Sequence, residues 1–164
     1  MIGIEKDILI LLSKIRYVTE SQLSNFFGIK RSYLKRPLKR TLKKMCNEYI
    51  LKKRPVNINY LGYRDNTYIY YLDGSREYQG EELLKVIIGS EIFIKMCKEG
   101  YKVRRFFRNV IIDDEKFDIY IEYVDINYNV ARILVDVDIH SRIDFSKYEN
   151  LSSKIKNSTI PFID

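Results

Sequence analysis

Several function classes lack the residues they would need. Of 164 residues, two are cysteine and one is histidine. There is no CxxC pair and no Cys/His cluster, so nothing has the ligand spacing of a structural zinc site. Cys46 and Cys97 lie in apolar, helix-like contexts and read as reduced, buried thiols of a cytoplasmic protein. No apolar run reaches the roughly 18 residues that a membrane span requires. The N-terminal stripe is interrupted by Glu5, Asp7 and Lys14, which marks an amphipathic helix rather than a signal peptide. A Gly-rich phosphate loop, a nucleophile elbow and an HExxH pair are all missing, which removes nucleotide-driven, serine-hydrolase and zinc-hydrolase readings.

What is present is a hydrophobic content of 46%, enough for one domain or two small ones with real cores. Charge is unevenly divided. Residues 1–79 hold 16 Lys and Arg against 7 Asp and Glu, a balance of +9; residues 80–164 hold 13 against 15, a balance of −2; together they make the net +7. Residues 30–54 contain eleven basic side chains and a single acid, Glu48. Such a block attracts a polyanion and makes its binding salt-dependent.

The pattern around that block predicts three helices and a hairpin. Ile8, Leu11, Leu12 and Ile15 fall at i, i+3, i+4, i+7, one face of a first helix. Thr19 with Gln22 three residues on has the form of a capping box. It opens a short helix over 20–27 that turns Leu23, Phe26 and Phe27 inward, and Gly28 suits the left-handed position that ends it. Pro37 is tolerated only in a first turn, which starts a third helix near Arg36 or Pro37 and carries it to about Asn47. Its core face is Leu38, Leu42 and Met45. Its other faces carry Lys35, Arg36, Lys39, Arg40, Thr41, Lys43 and Lys44. A helix apolar on one side and basic on the rest fits a DNA major groove. Strands over 57–63 and 67–72 then flank Arg64-Asp65-Asn66, a turn-forming sequence. Three helices followed by a hairpin is the order of a winged helix-turn-helix. Lys30, Arg31, Lys35, Arg36, Lys39, Arg40, Lys43, Lys44, Arg54 and Arg64 are its candidate DNA-binding residues, with Arg64 at the wing tip and Lys52, Lys53 and Arg54 at the base. Tyr60, Tyr63, Tyr68, Tyr70 and Tyr71 read mainly as strand packing.

A polar break over 73–80 divides this DNA-binding domain, residues 1–75, from a second domain, residues 80–164. The second half reads as a helix over 81–98, strands over 102–109, 115–123 and 130–139, a helix over 144–156 and a strand over 160–163. The expected fold class is α+β throughout. Asp136 and Asp138, two apart, share one strand face, and His140 continues it. Two acids on one face are neutralised by a cation, by nearby Arg or Lys, or by exposure.

The helix–three strands–helix–strand order, with Asp113 and Asp114 before the second strand and Asp136 and Asp138 in the third, looks like the PD-(D/E)xK nuclease fold. The whole chain resembles the replication-relaxation family of plasmid, phage and mobile-element proteins, which join a winged helix to such a domain. The likeness is carried by Ile112-Asp113-Asp114-Glu115-Lys116-Phe117, Leu134-Val135-Asp136-Val137-Asp138 and Lys147-Tyr148. It implies Asp114, Asp136 and Asp138 as the acidic positions and as metal candidates. The family's lysine, two residues after the second acid, is replaced by Asp138, and Asp113 stands in place of the motif's proline. An aspartate supplies no positive charge to the transition state, so the domain is expected to be catalytically silent, with no required cofactor. The alternative is a Mg2+- or Mn2+-dependent DNA endonuclease using Asp114, Asp136 and Asp138, with Lys147 as the displaced cation. The expected function is sequence-specific binding of double-stranded DNA, as an accessory factor in replication, mobilisation or transcriptional control of a mobile element. The expected partners are that DNA, a second copy of the chain as a homodimer, and a relaxase or replication protein.

Overall fold

Ile8, Leu11, Leu12 and Ile15 form the buried side of α1 (Ile2–Ile15). The computed structural model describes residues 2–29, 35–60, 63–137 and 139. Arg16 ends α1 in the left-handed region (φ 68) and donates its N–H to the Leu12 carbonyl at 3.0 Å. A three-residue strand not anticipated from periodicity follows, β1 (Tyr17–Thr19), buried throughout. Three residues are too few to show alternation, so only pairing reveals it.

Thr19 closes β1 and caps α2 (Glu20–Phe26). Its hydroxyl accepts from the Gln22 N–H at 3.1 Å, and the Gln22 amide oxygen accepts from the Thr19 N–H at 3.0 Å. The expected capping box is therefore present. Gly28, at φ +68, takes the left-handed position after the helix. Phe26 and Phe27 are only half-buried and pack edge-on against each other.

The basic helix is α3 (Lys35–Asn47). Pro37 sits in its first turn, where the N–H has no intrahelical partner in any case. Leu38, Thr41, Leu42 and Met45 are its buried side. β2 (Leu51–Tyr60) and β3 (Tyr63–Leu72) follow, in a sheet of order β1-β3-β2. The expected turn at Arg64-Asp65-Asn66 is corrected: all three lie within β3, and two residues, 61 and 62, separate the strands. The far part of β3 is the inward one: Thr67, Ile69 and Tyr71 are buried, and β1 pairs Tyr17 with Tyr71 and Thr19 with Ile69. β2 also begins earlier than its expected start at 57. Pro55 in its middle is compatible with an edge strand, which leaves some N–H groups unpaired anyway.

The polar stretch 73–79 is held against the sheet rather than free. Tyr17 Oη donates to the Arg76 carbonyl, Arg54 Nη2 donates to the Tyr78 carbonyl, and Tyr71 Oη donates to Glu77 at 2.8 Å. α4 (Gly80–Lys98) comes next. Its early part is tied to the preceding elements: Gln22 Nε2 donates to the Ile87 carbonyl at 2.9 Å, and Ser90 Oγ donates to the Tyr17 carbonyl.

The chain divides into two compact units, Met1–Ile58 with Arg64–Ser90, and Asn59–Tyr63 with Glu91–Asp164. The division falls inside α4, between Ser90 and Glu91, about three helical turns beyond the polar break. In the second unit a three-stranded antiparallel sheet, order β4-β5-β6, is built from β4 (Lys102–Ile112), β5 (Glu115–Val124) and β6 (Val130–Val135). One face carries Phe106, Ile119, Ile121, Ile133 and Val135, all buried, and Phe106 meets Phe93 of α4 edge-on at 5.6 Å. The chain is thus α+β, with two small antiparallel sheets. No helix among the described residues is long and apolar enough to cross a membrane. Cys46 and Cys97 are free thiols, each half-buried. The expected helix over 144–156 and strand over 160–163 lie outside the described residues.

Candidate nucleic-acid interface

The basic block is sorted by its carboxylate partners. A helix turns about 100° per residue. On α3, Arg36, Arg40, Lys43 and Asn47 therefore project within about 30° of the direction opposite the Leu38–Thr41–Leu42–Met45 core face. Lys39 and Lys44 lie about 70° to either side of that direction. All six side chains are exposed. The two flanking lysines have acidic neighbours from other helices. Lys39 Nζ is 4.0 Å from Glu20 of α2, and Lys44 Nζ is 3.3 Å from Glu5 of α1 and 3.9 Å from Glu48. Among the described residues, Arg36, Arg40 and Lys43 have no ion-pair partner. The result is a central cationic row with both edges partly neutralised.

The hairpin contributes less charge than expected. Arg54 is half-buried and bound to the Tyr78 carbonyl, so it serves the 73–79 stretch. Lys52 pairs with Asp73 at 3.2 Å. Lys53 lies over the Tyr68 ring at 4.8 Å, a cation–π contact on a tyrosine that is itself 40% exposed. Arg64 is exposed on β3, without an ion pair among the described residues. Between α2, α3 and β3 runs a cleft of 450 Å3 lined by Ser21, Lys35, Lys39, Asn66 and Tyr68, with Glu20 at its side. Lys30 and Arg31 lie outside the described residues.

Burial acts on two strand tyrosines of this unit. It pushes the Tyr70 hydroxyl well above the usual phenol range. Tyr71 is raised by burial and by its hydrogen bond to Glu77. Both read as packing residues, in keeping with their strand positions.

The acidic candidates of the second unit are rearranged. Asp113 and Asp114 are the two residues between β4 and β5, with Ile112 opposite Glu115, and both adopt positive φ (52 and 64). That is the backbone of a two-residue hairpin turn, where aspartate is one of the few tolerant residues. Asp114 is exposed there, directly before β5, the position expected of it. The neighbour of Asp136 is Asp118, four residues further on, about 13 Å along an extended strand. Asp118 Oδ2 accepts from the Val137 N–H at 2.8 Å, and Asp136 Oδ1 accepts from the Asp118 N–H at 3.4 Å. β6 stops at Val135 instead of running to 139. Asp138, His140 and Lys147 lie outside the described residues. Among the described residues no group of three or more His, Cys, Asp or Glu comes together as a cation site.

One acid of this sheet escaped the sequence reading. Glu122 is 5% exposed and stands between Arg105 of β4 and Arg132 of β6, at 3.5 and 3.1 Å. Both are its direct cross-strand partners. The period-two pattern of β5 places Asp118, Tyr120 and Glu122 on one face, which was the available signal. The arginine partners follow only from strand register.

Comparison of the chain with known protein families, curated sequences and solved structures returns no match.

Proposed function

We propose that this protein binds double-stranded DNA, with α3 in the major groove and the β2–β3 hairpin beside it, in the manner of a winged helix-turn-helix. One observation carries this: the exposed central row of α3 is cationic and unpaired among the described residues, while the cations at its edges have carboxylate neighbours. A merely solvated surface helix gains from local ion pairs along its exposed face. Here the side chains best placed to meet a groove are the ones without such pairs. An α-helix with side chains fits the major groove, and Arg and Lys on its outer face meet phosphates and base edges. Polar and aromatic groups of the cleft, Asn66 and Tyr68, suit the adjoining backbone. The role proposed is that of a sequence-specific accessory factor acting in replication, mobilisation or transcriptional control of a mobile element.

The test is titration of labelled duplex DNA with the full chain at several salt concentrations. The expected result is saturable binding whose logarithmic affinity falls with the logarithm of salt at about 0.9 per phosphate neutralised. Binding that ignores salt, or none, overturns the proposal. The endonuclease reading has less support, because Asp114 occupies a hairpin turn and Asp118 accepts a backbone N–H.

A further inference from the structure

Lysine and arginine do different things on a groove-facing helix. An ammonium is a point charge that suits any phosphate. A guanidinium is a rigid planar fork that matches the O6 and N7 acceptors on the major-groove edge of guanine. The position on α3 separates the two uses. A helix lying in a groove sets its central row toward the base edges and its flanks toward the sugar–phosphate walls. The flanks of α3 are lysines, Lys39 and Lys44, beside Glu20 and Glu5. The central row begins with two arginines, Arg36 and Arg40, one helical turn apart, both exposed and both without an ion pair among the described residues. Neither has to release a carboxylate before it contacts a base.

We infer that Arg36 and Arg40 are specificity-determining residues, each reading one guanine through a bidentate contact. Four residues of helix advance about 6 Å, against about 3.4 Å per base step. The two guanines therefore lie about two base pairs apart in the bound site. This inference rests on the DNA-binding reading of α3 and adds to it the chemistry of the base recognised.

The experiment is selection of binding sites from a pool of random duplexes by the full chain and by its Arg36→Lys and Arg40→Lys variants, with salt titrations of each protein on the selected site. Lysine keeps the charge and the helix propensity, so folding and the salt dependence stay as they are. The expected outcome is enrichment of two guanines about two base pairs apart in the sites of the native chain. Each variant loses discrimination at one of them by about tenfold or more, and the slope against salt does not change. Selected sites without guanine, or guanines kept at full enrichment by both variants, overturn the inference while leaving DNA binding intact. A pool in which the native chain retains no duplex at all overturns the inference together with the DNA-binding proposal.

Discussion

Asp118 and Asp136 hold the ends of two neighbouring strands together: the Asp118 carboxylate accepts from the Val137 N–H at 2.8 Å, and the Asp136 carboxylate accepts from the Asp118 N–H at 3.4 Å. Aspartates in a nuclease-like strand invite a catalytic role, yet these atoms meet backbone. Asp118→Ala should leave the Val137 N–H without its acceptor and destabilise the protein by about 1–2 kcal/mol. Asp118→Asn keeps an oxygen in place and should recover much of the loss. Urea unfolding of the three proteins measures both. Equal stability of all three would assign the contact no structural weight.

The same pair sets the expectation for cleavage. Incubated with supercoiled and linear DNA in Mg2+ or Mn2+, the native chain should leave both intact, and so should an Asp136→Ala control. Cleavage by the native chain that disappears in the control, and on removal of the metal by a chelator, would restore the endonuclease alternative.

For DNA binding, the residues to remove together are Arg36, Arg40 and Lys43. Removing three cations from the groove-facing row weakens attraction to the polyanion, so the triple alanine variant should lose most of its affinity and show a flatter slope of log affinity against log salt. Lys52→Ala, which removes a charge already paired with Asp73, should change both far less. Salt titrations by fluorescence anisotropy compare them, and equal losses in the two variants would place binding elsewhere.

Gln22 has two structural duties. Its amide oxygen completes the Thr19 capping box, and its amide nitrogen donates to the Ile87 carbonyl at 2.9 Å. The side chain is 3% exposed. Gln22→Ala strands the buried Thr19 N–H and should cost about 2 kcal/mol or more. Gln22→Glu keeps the acceptor but loses the donor and should fall below the native chain as well. Thermal unfolding followed by circular dichroism reads the order of the three.

Alkaline pH should weaken the fold before the buried phenols ionise. Tyr70, Tyr71 and Tyr123 are all raised above the ordinary tyrosine value of 10.0, chiefly by burial. A raised acid favours the protonated form in the folded state. Its stabilising effect is full below pH 10.0, the unfolded value, and is lost as pH climbs through the folded values. Absorbance at about 295 nm should show a group of tyrosines titrating late or only on unfolding, and Tyr70→Phe should flatten the decline of stability. Tyrosines that all titrate together near the ordinary value would contradict this.

The features legible in the sequence are those with local causes. A capping residue and its partner are three positions apart, so Thr19 and Gln22 announce α2 without reference to anything else. Leu38, Leu42 and Met45 recur at helical spacing, so the buried side of α3 and its basic outer side were evident from periodicity. Gly28 suits a left-handed helix stop because it has no Cβ to clash. Pairings between distant segments have no such local cause, and only the tertiary structure decided them. Three residues of β1 form a strand because β3 lies beside them. Arg64-Asp65-Asn66 has turn chemistry, but the neighbours of β3 hold it extended. Asp113 and Asp114 read as acids ahead of a strand, and the β4–β5 register makes them a two-residue turn. Glu5 and Glu20 neutralise the flanks of α3 from positions 39 and 19 residues away, while the arginines between those flanks keep their charge unpaired among the described residues. The sequence by itself therefore determined that α3 is basic; the packing of α1 and α2 against it decided which of its cations face carboxylates, because an ion pair depends on distance in space rather than distance along the chain.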